Sequence, residues 1–332
     1  MSAFIDGETL RREREAFALH AEPIKPLLDA DDITDIILCT PRAPGLDGEV
    51  WIDRNRVGVV DSGIRLSAIQ AEQLIRDIAS MGQEDGEELE LNERQPSLSC
   101  QFAHGQYRFE GVIPPAALGG PTFVIRKYVI RGDVTLADYV AEGTLTESQV
   151  AWLLERVSSP DGATVLIGGE TGSGKTTLLH PLVRAASVGR RVILIEDTPE
   201  LETPAGPTTR LKTVKSFGYQ AAIISSLRQR PNLLVLGEMR APAVAQQAIE
   251  AWTTGHRGLG TLHAGSCREM MTRIHGLCRQ SENGRHITVS NVASAIQVVV
   301  HLRKRSDGRR VADVQAVDAT ASSRRFVLRE VR

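Results

Sequence analysis

Between residues 169 and 176 the chain reads Gly-Glu-Thr-Gly-Ser-Gly-Lys-Thr, which satisfies G-x-x-x-x-G-K-[ST] at every position. The chemistry that needs this pattern is the grip on a nucleoside polyphosphate. Glycines let backbone N–H groups curl around phosphate oxygens, and a helix that starts at the end of the loop adds the positive end of its dipole. Lys175 is then expected to reach the β- and γ-phosphates, and the Thr176 hydroxyl to enter the shell of a Mg²⁺ ion. Gly169, Glu170, Thr171, Gly172, Ser173, Gly174 and Thr177 complete the cradle.

Binding does not make a hydrolase, so carboxylates at neighbouring strand ends matter next. Val192-Ile-Leu-Ile runs into Glu196-Asp197, and Leu233-Leu-Val-Leu-Gly runs into Glu238. Ligands gather at the carboxyl ends of strands in open α/β sheets. Glu196 is a candidate to polarise an attacking water, with Asp197 acting on Mg²⁺ indirectly or holding the loop; Glu238 is a candidate water-mediated magnesium partner or the alternative base. Both assignments stay open at this point. Thr254-Gly-His-Arg-Gly-Leu-Gly-Thr-Leu-His-Ala holds His256 and His263. They read either as a zinc pair, without cysteine or carboxylate partners at metal-site spacing, or as a strand-and-loop segment in which His263 senses the γ-phosphate. Arg108, Arg126, Arg228, Arg230 and Arg240 stand where a guanidinium could stabilise charge on a phosphoryl group in transfer.

Such groups need elements to hold them. The apolar runs at 163–167, 192–195 and 233–236 alternate with helical spans, which predicts an α/β domain: a mostly parallel sheet covered by helices. Val150, Leu153, Leu154 and Val157 share a helical face behind the capping pair Thr146 and Gln149. Upstream the pattern is α+β. It has a strand around 36–38, a hairpin of 49–54 with 57–60, and an amphipathic helix over 67–81 begun by Ser67 and Gln70. Strands at 107–113 and 123–128 then flank a Pro- and Gly-rich loop. The acidic run 84–90 reads as a solvated connection. We therefore expect a smaller N-terminal α+β domain over 1–130, a linker over 131–145, and the α/β domain over 146–332.

The 332 residues suit two domains, and a net charge of −2 from 39 Lys plus Arg against 41 Asp plus Glu implies no bulk attraction to nucleic acid or anionic membrane. Four scattered cysteines without a CxxC pair fit reduced thiols in a cytosolic protein. No stretch approaches the ~18 apolar residues of a membrane span, so membrane contact is expected to be peripheral.

Taken in order, the loop at 169–176, the box Ile195-Glu-Asp-Thr-Pro-Glu-Leu, the segment 226–240 and the histidine box 254–264 resemble the secretion-motor ATPases of type II and type IV secretion, type IV pili and conjugation. The Glu-Asp-Thr-x-Glu-Leu form and the Gly-Thr-Leu-His-Ala-Gly ending look like the type IV secretion branch, most of all the conjugal-transfer ATPases of the TrbB type. The resemblance implies a RecA-like P-loop NTPase as C-terminal domain, with ATP and Mg²⁺ bound between it and the N-terminal domain. Arg108 and Arg126 would reach the nucleotide, Glu196 would match the acid often assigned as catalytic, and Lys175, Glu238 and His263 would join it. It further implies a homohexameric ring peripheral to the cytoplasmic face of the inner membrane, partnered with a secretion or conjugation apparatus and not with a specific nucleic-acid sequence. A pilus-retraction motor and a RecA-like nucleic-acid motor are the alternatives. The tetracysteine insert common in pilus-assembly and type II relatives is lacking.

Overall fold

The computed structural model describes residues 17–41, 43, 45–54, 57–81, 83–84, 87–88, 90–102, 107–127, 134–214, 216–305, 310–319 and 325–332. The turn residues Asn55 and Arg56, the side chains of the acidic run through residue 89, and the boundary at 131–133 lie outside the described residues. The chain divides into two compact units, Met1–Val129 and Ile130–Arg332.

The first unit contains strands β1 (Ile33–Leu38), β2 (Gly48–Arg54), β3 (Gly58–Leu66), β4 (Ser97–Phe102), β5 (Tyr107–Val112) and β6 (Thr122–Lys127), with helix α1 (Ala68–Met81). The strands form an antiparallel sheet in the order β3-β2-β1-β6-β5-β4. Alternate residues point to one face, so Ile36, Leu38, Val50, Ile52, Phe109, Phe123 and Ile125 are buried together. Ala71, Leu74, Ile75 and Ile78 recur at helical spacing on α1 and close this core. The expected cap is present: the Gln70 N–H donates to Ser67 Oγ at 3.3 Å and the Ser67 N–H to Gln70 Oε1 at 3.0 Å.

The second unit runs α2 (Leu136–Ala141), α3 (Glu147–Ser158), β7 (Val165–Gly169), α4 (Lys175–Ser187), β8 (Val192–Glu196), β9 (Thr208–Lys212), α5 (Tyr219–Leu227), β10 (Leu233–Leu236), α6 (Pro242–Thr253), β11 (Arg257–Leu262), α7 (Cys267–Gln280), α8 (Val289–Ala295), β12 (Val298–Lys304), β13 (Arg310–Asp318) and β14 (Val327–Glu330). Its sheet has the order β9-β8-β10-β11-β7-β12-β13-β14; the first six strands are parallel, and the last two pairings, β12 with β13 and β13 with β14, are antiparallel. Every residue of β7, β8 and β10 is buried, because helices cover both faces. On one face Leu166, Ile193, Ile195, Leu234 and Leu236 meet α5 to α8, and on the other Val165, Ile167, Leu194 and Val235 meet α2 to α4.

Part of the expected linker is folded. Thr135 and Asp138 make a capping box at the start of α2, and Leu136, Tyr139 and Leu145 are buried in the same core as α3 and α4. Three apolar residues spread over ten positions are too sparse to read as a period, yet they suffice once a core is there to receive them.

Candidate active site

Strand β7 delivers its last residue, Gly169, into a crowded turn. A Cβ there would stand 2.4 Å from Leu302 O and 2.5 Å from Ser173 Oγ, so no larger residue fits without displacing backbone. Gly174, the N-cap of α4, has φ +92°, which L side chains avoid. Lys175 follows as the first helical residue and is 8% exposed. Its Nζ donates to Gly169 O at 3.1 Å and Glu170 O at 2.8 Å, and lies 3.3 Å from His263 Nδ1. Burial pulls the Lys175 pKa down, with the Glu238 charge opposing. Glu170 and Thr171 are exposed at the tip, Thr176 and Thr177 are half-buried in the first turn of α4, and Ser173 is buried.

The ends of the next strands converge on that lysine. Glu238 follows β10 and His263 follows β11; His263 Nε2 lies 2.9 Å from Glu238 Oε1. The contact is too poorly aligned to be a hydrogen bond, so Oε1 is buried without a hydrogen-bond partner among the described residues. Arg240 pairs with the other oxygen, Nη2 to Oε2 at 2.6 Å. Burial pushes the Glu238 carboxyl up, but the Arg240 hydrogen bond, with the charges of Arg240, His263 and Lys175, holds it below the usual range. Burial, then the Lys175 charge, depresses the His263 pKa, so the ring is neutral at pH 7. Two bonds fix these strand ends against each other: Thr261 Oγ1 donates to Gly237 O at 2.6 Å, and the Met239 N–H to Thr261 O at 2.8 Å.

Glu196 has a different setting. It is 4% exposed, its Oε1 accepts the N–H groups of Glu200 at 2.9 Å and Leu201 at 2.8 Å, and its Oε2 lies 3.4 Å from Arg210 Nη2. Burial raises its pKa despite those partners. Asp197 accepts the Thr198 N–H at 2.9 Å and helps to raise the Arg240 pKa, behind the Glu238 hydrogen bond.

His256 precedes β11 and His263 follows it, so a strand of about 20 Å separates them. His256 Nδ1 instead lies 3.2 Å from Ala251 O at the end of α6, and the zinc pair is excluded. Arg228 and Arg230 likewise precede β10, at the end opposite Glu238. Arg108 and Arg126 belong to the first unit, where they are cross-strand neighbours on β5 and β6, and Arg126 Nε pairs with Asp35 at 2.8 Å.

Three residues that sequence reasoning did not single out complete the second unit's site. The Tyr219 hydroxyl donates to Ile195 O at 3.2 Å and accepts the Glu238 N–H at 3.4 Å, tying β8 to β10. The Glu200 charge helps to hold up the Lys175 pKa, after burial and the larger effects of Glu238 and Arg240. His301 Nε2 lies 3.1 Å from Ala264 O and supports the turn after His263. Only for Glu200 was there a signal, since it is the third acid of the box 195–201. The other two join elements distant in sequence.

A buried carboxylate oxygen without a hydrogen-bond partner among the described residues, in a cluster with a histidine and a lysine, suits a hydrated Mg²⁺ ion, which takes oxygen ligands and keeps several waters. The glycine-walled loop suits the phosphates that such an ion accompanies.

Comparison with known proteins gives the family. The family profile described as type II/IV secretion system protein matches residues 58–326. The chain is 33% identical over 303 residues to the probable conjugal transfer protein TrbB of Sinorhizobium fredii, covering 90% of this chain and 87% of that protein. It is 26% identical over 347 residues to the type IV secretion system protein VirB11 of Brucella suis, covering 93% and 92%. The X-ray structure of the Yersinia pseudotuberculosis ATPase DotB matches the fold with a TM-score of 0.61 at 19% identity, over 97% of this chain and 81% of that one. With a profile spanning most of its length and a TrbB relative aligned nearly end to end, the chain belongs to the type II/IV secretion system protein family.

Proposed function

We propose that this protein is an ATPase with a RecA-like catalytic domain that powers conjugative transfer or type IV secretion. The observation that carries the reading is the contact of Lys175, His263 and Glu238 at the mouth of the phosphate loop. Lys175 leaves the Gly169 and Glu170 carbonyls to neutralise the β- and γ-phosphates. Thr176 and Glu238 would hold Mg²⁺, partly through water, and the ion would polarise the phosphoryl oxygens when bound. Glu238, kept ionised by Arg240, orients the attacking water, and neutral His263 contacts the γ-phosphate. Glu196, with both oxygens engaged, fits better as the holder of the 197–201 turn than as the base. Arg108 and Arg126 are the first unit's candidates for a guanidinium that stabilises charge on the phosphoryl group.

The assembly proposed is a homohexameric ring at the cytoplasmic face of the inner membrane, as the resemblance of the four ordered motifs implies. Phosphate release from Mg²⁺-ATP by the purified full chain tests the activity, and electron microscopy with a non-hydrolysable analogue tests the ring. Turnover that survives Lys175→Ala unchanged would sink the reading.

A further inference from the structure

The motifs absorb the inner side of the phosphate loop, but a cation also grips it from outside. Arg310 opens β13 opposite Lys304 of β12, far along the chain from every recognised box. Its Nε donates to Ser173 O at 3.1 Å. A Cβ on Gly174 would lie 3.2 Å from that Nε and 3.7 Å from Cζ, so the guanidinium rests against the Ser173–Gly174 peptide. We propose that Arg310 is a positioning residue for the nucleotide: it orients and polarises the Ser173–Gly174 peptide so that the loop presents its N–H groups to the phosphates. This inference rests on the nucleotide-binding reading above.

In a planar trans peptide the C=O and the following N–H point in opposite directions. A guanidinium that holds the Ser173 carbonyl outward therefore turns the Gly174 N–H inward. The two groups are conjugated, so a charged donor on the oxygen also strengthens the N–H as a donor. Lys175 already occupies the carbonyls of Gly169 and Glu170. Between them the two cations engage carbonyls at both ends of the loop.

Arg310 is itself well anchored. Its strand pairs with β12, whose Leu302 lies beside Gly169 on β7, and the Ala312 N–H donates to Thr144 O at 3.0 Å. A bland alternative is that Arg310 only ties the β12–β13 hairpin to the loop for stability. The two differ in what they do to phosphate affinity at constant stability.

The test is calorimetric titration of the full chain with ADP and with inorganic pyrophosphate, for wild type, Arg310→Gln and Arg310→Lys, with melting curves in the absence of ligand. Arg310→Gln is expected to weaken both ligands by about tenfold, the ratio that ~1.4 kcal/mol produces. Arg310→Lys, which keeps a charged donor, should recover part of that loss, while the ligand-free melting temperatures stay within a few degrees. In turnover the loss should appear in KM more than in kcat. Arg310→Gln binding both ligands within twofold of wild type overturns the inference, as does weakening of ADP with pyrophosphate untouched. Weakening that only follows a fall in ligand-free melting temperature, with no recovery in Arg310→Lys, assigns the purely structural role and overturns it too. If wild type binds neither ligand, the nucleotide reading falls together with the inference.

Discussion

His263 Nε2 stands 2.9 Å from Glu238 Oε1 because β10 and β11 are adjacent parallel strands whose carboxyl ends reach the same edge of the sheet. That contact places a neutral ring between an acid and the Lys175 ammonium, which lies 3.3 Å from the other ring nitrogen. Its consequences can be measured.

Glu238→Gln keeps the shape of the side chain and removes its charge. Phosphate release should fall about 10²- to 10³-fold while nucleotide affinity changes little, as expected when a group acts mainly in the transition state. Steady-state kinetics beside equilibrium binding separates the two. Glu196→Ala should instead lower the melting temperature, because it removes the oxygen that accepts two backbone N–H groups out of contact with water.

Tyr219→Phe removes a hydroxyl that bridges Ile195 O and the Glu238 N–H. A loss of about 1 to 2 kcal/mol in denaturant unfolding is expected, together with a lower kcat from a less firmly held Glu238.

His180 offers a pH test. It is 5% exposed on α4, lies 3.5 Å from the Glu202 N–H through Nδ1, and burial lowers its pKa. His263 is shifted in the same direction. For such groups the unfolded chain binds more protons, so their contribution is complete above the unfolded pKa of about 6.5 and is lost as pH falls below it. Glu196, with its raised pKa, acts in the opposite sense, so the comparison must be between variants. His180→Asn, which retains an acceptor, should flatten the loss of stability between pH 7 and 5.5, with a slope difference of up to about 1.4 kcal/mol per pH unit. Urea unfolding over that range reads it directly.

Arg126 is half-exposed and paired with Asp35 at 2.8 Å. An ion pair of that kind contributes about 1 kcal/mol or less. Arg126→Ala should therefore leave the melting temperature nearly unchanged, and a tenfold or greater fall in kcat/KM would mark a functional guanidinium. An activity loss proportional to a stability loss would assign Arg126 to the fold alone.

Gly169→Ala is expected to cost ~3 kcal/mol or more, since the added methyl meets the Leu302 carbonyl. Thermal melting of the variant checks this.

Much of this was legible in the sequence, for reasons that differ from element to element. The phosphate loop is a contiguous string whose backbone and side chains act together, so its residues and their roles are written locally. The strands before Gly169, Glu196 and Glu238 were readable because a strand buried on both faces must be apolar throughout, and α1 because its apolar stripe and cap share one period. The sparse apolar residues of α2, and the β12–β13 hairpin that brings Arg310 to Ser173, left no such period. Nor could spacing rank the two acids. Both follow buried strands, and only the tertiary structure decides that backbone N–H groups and Arg210 surround Glu196 while Lys175, His263 and Arg240 surround Glu238. The reason is physical: a carboxylate's role depends on which donors share its cavity, and those come from strands and turns that the chain joins only by folding.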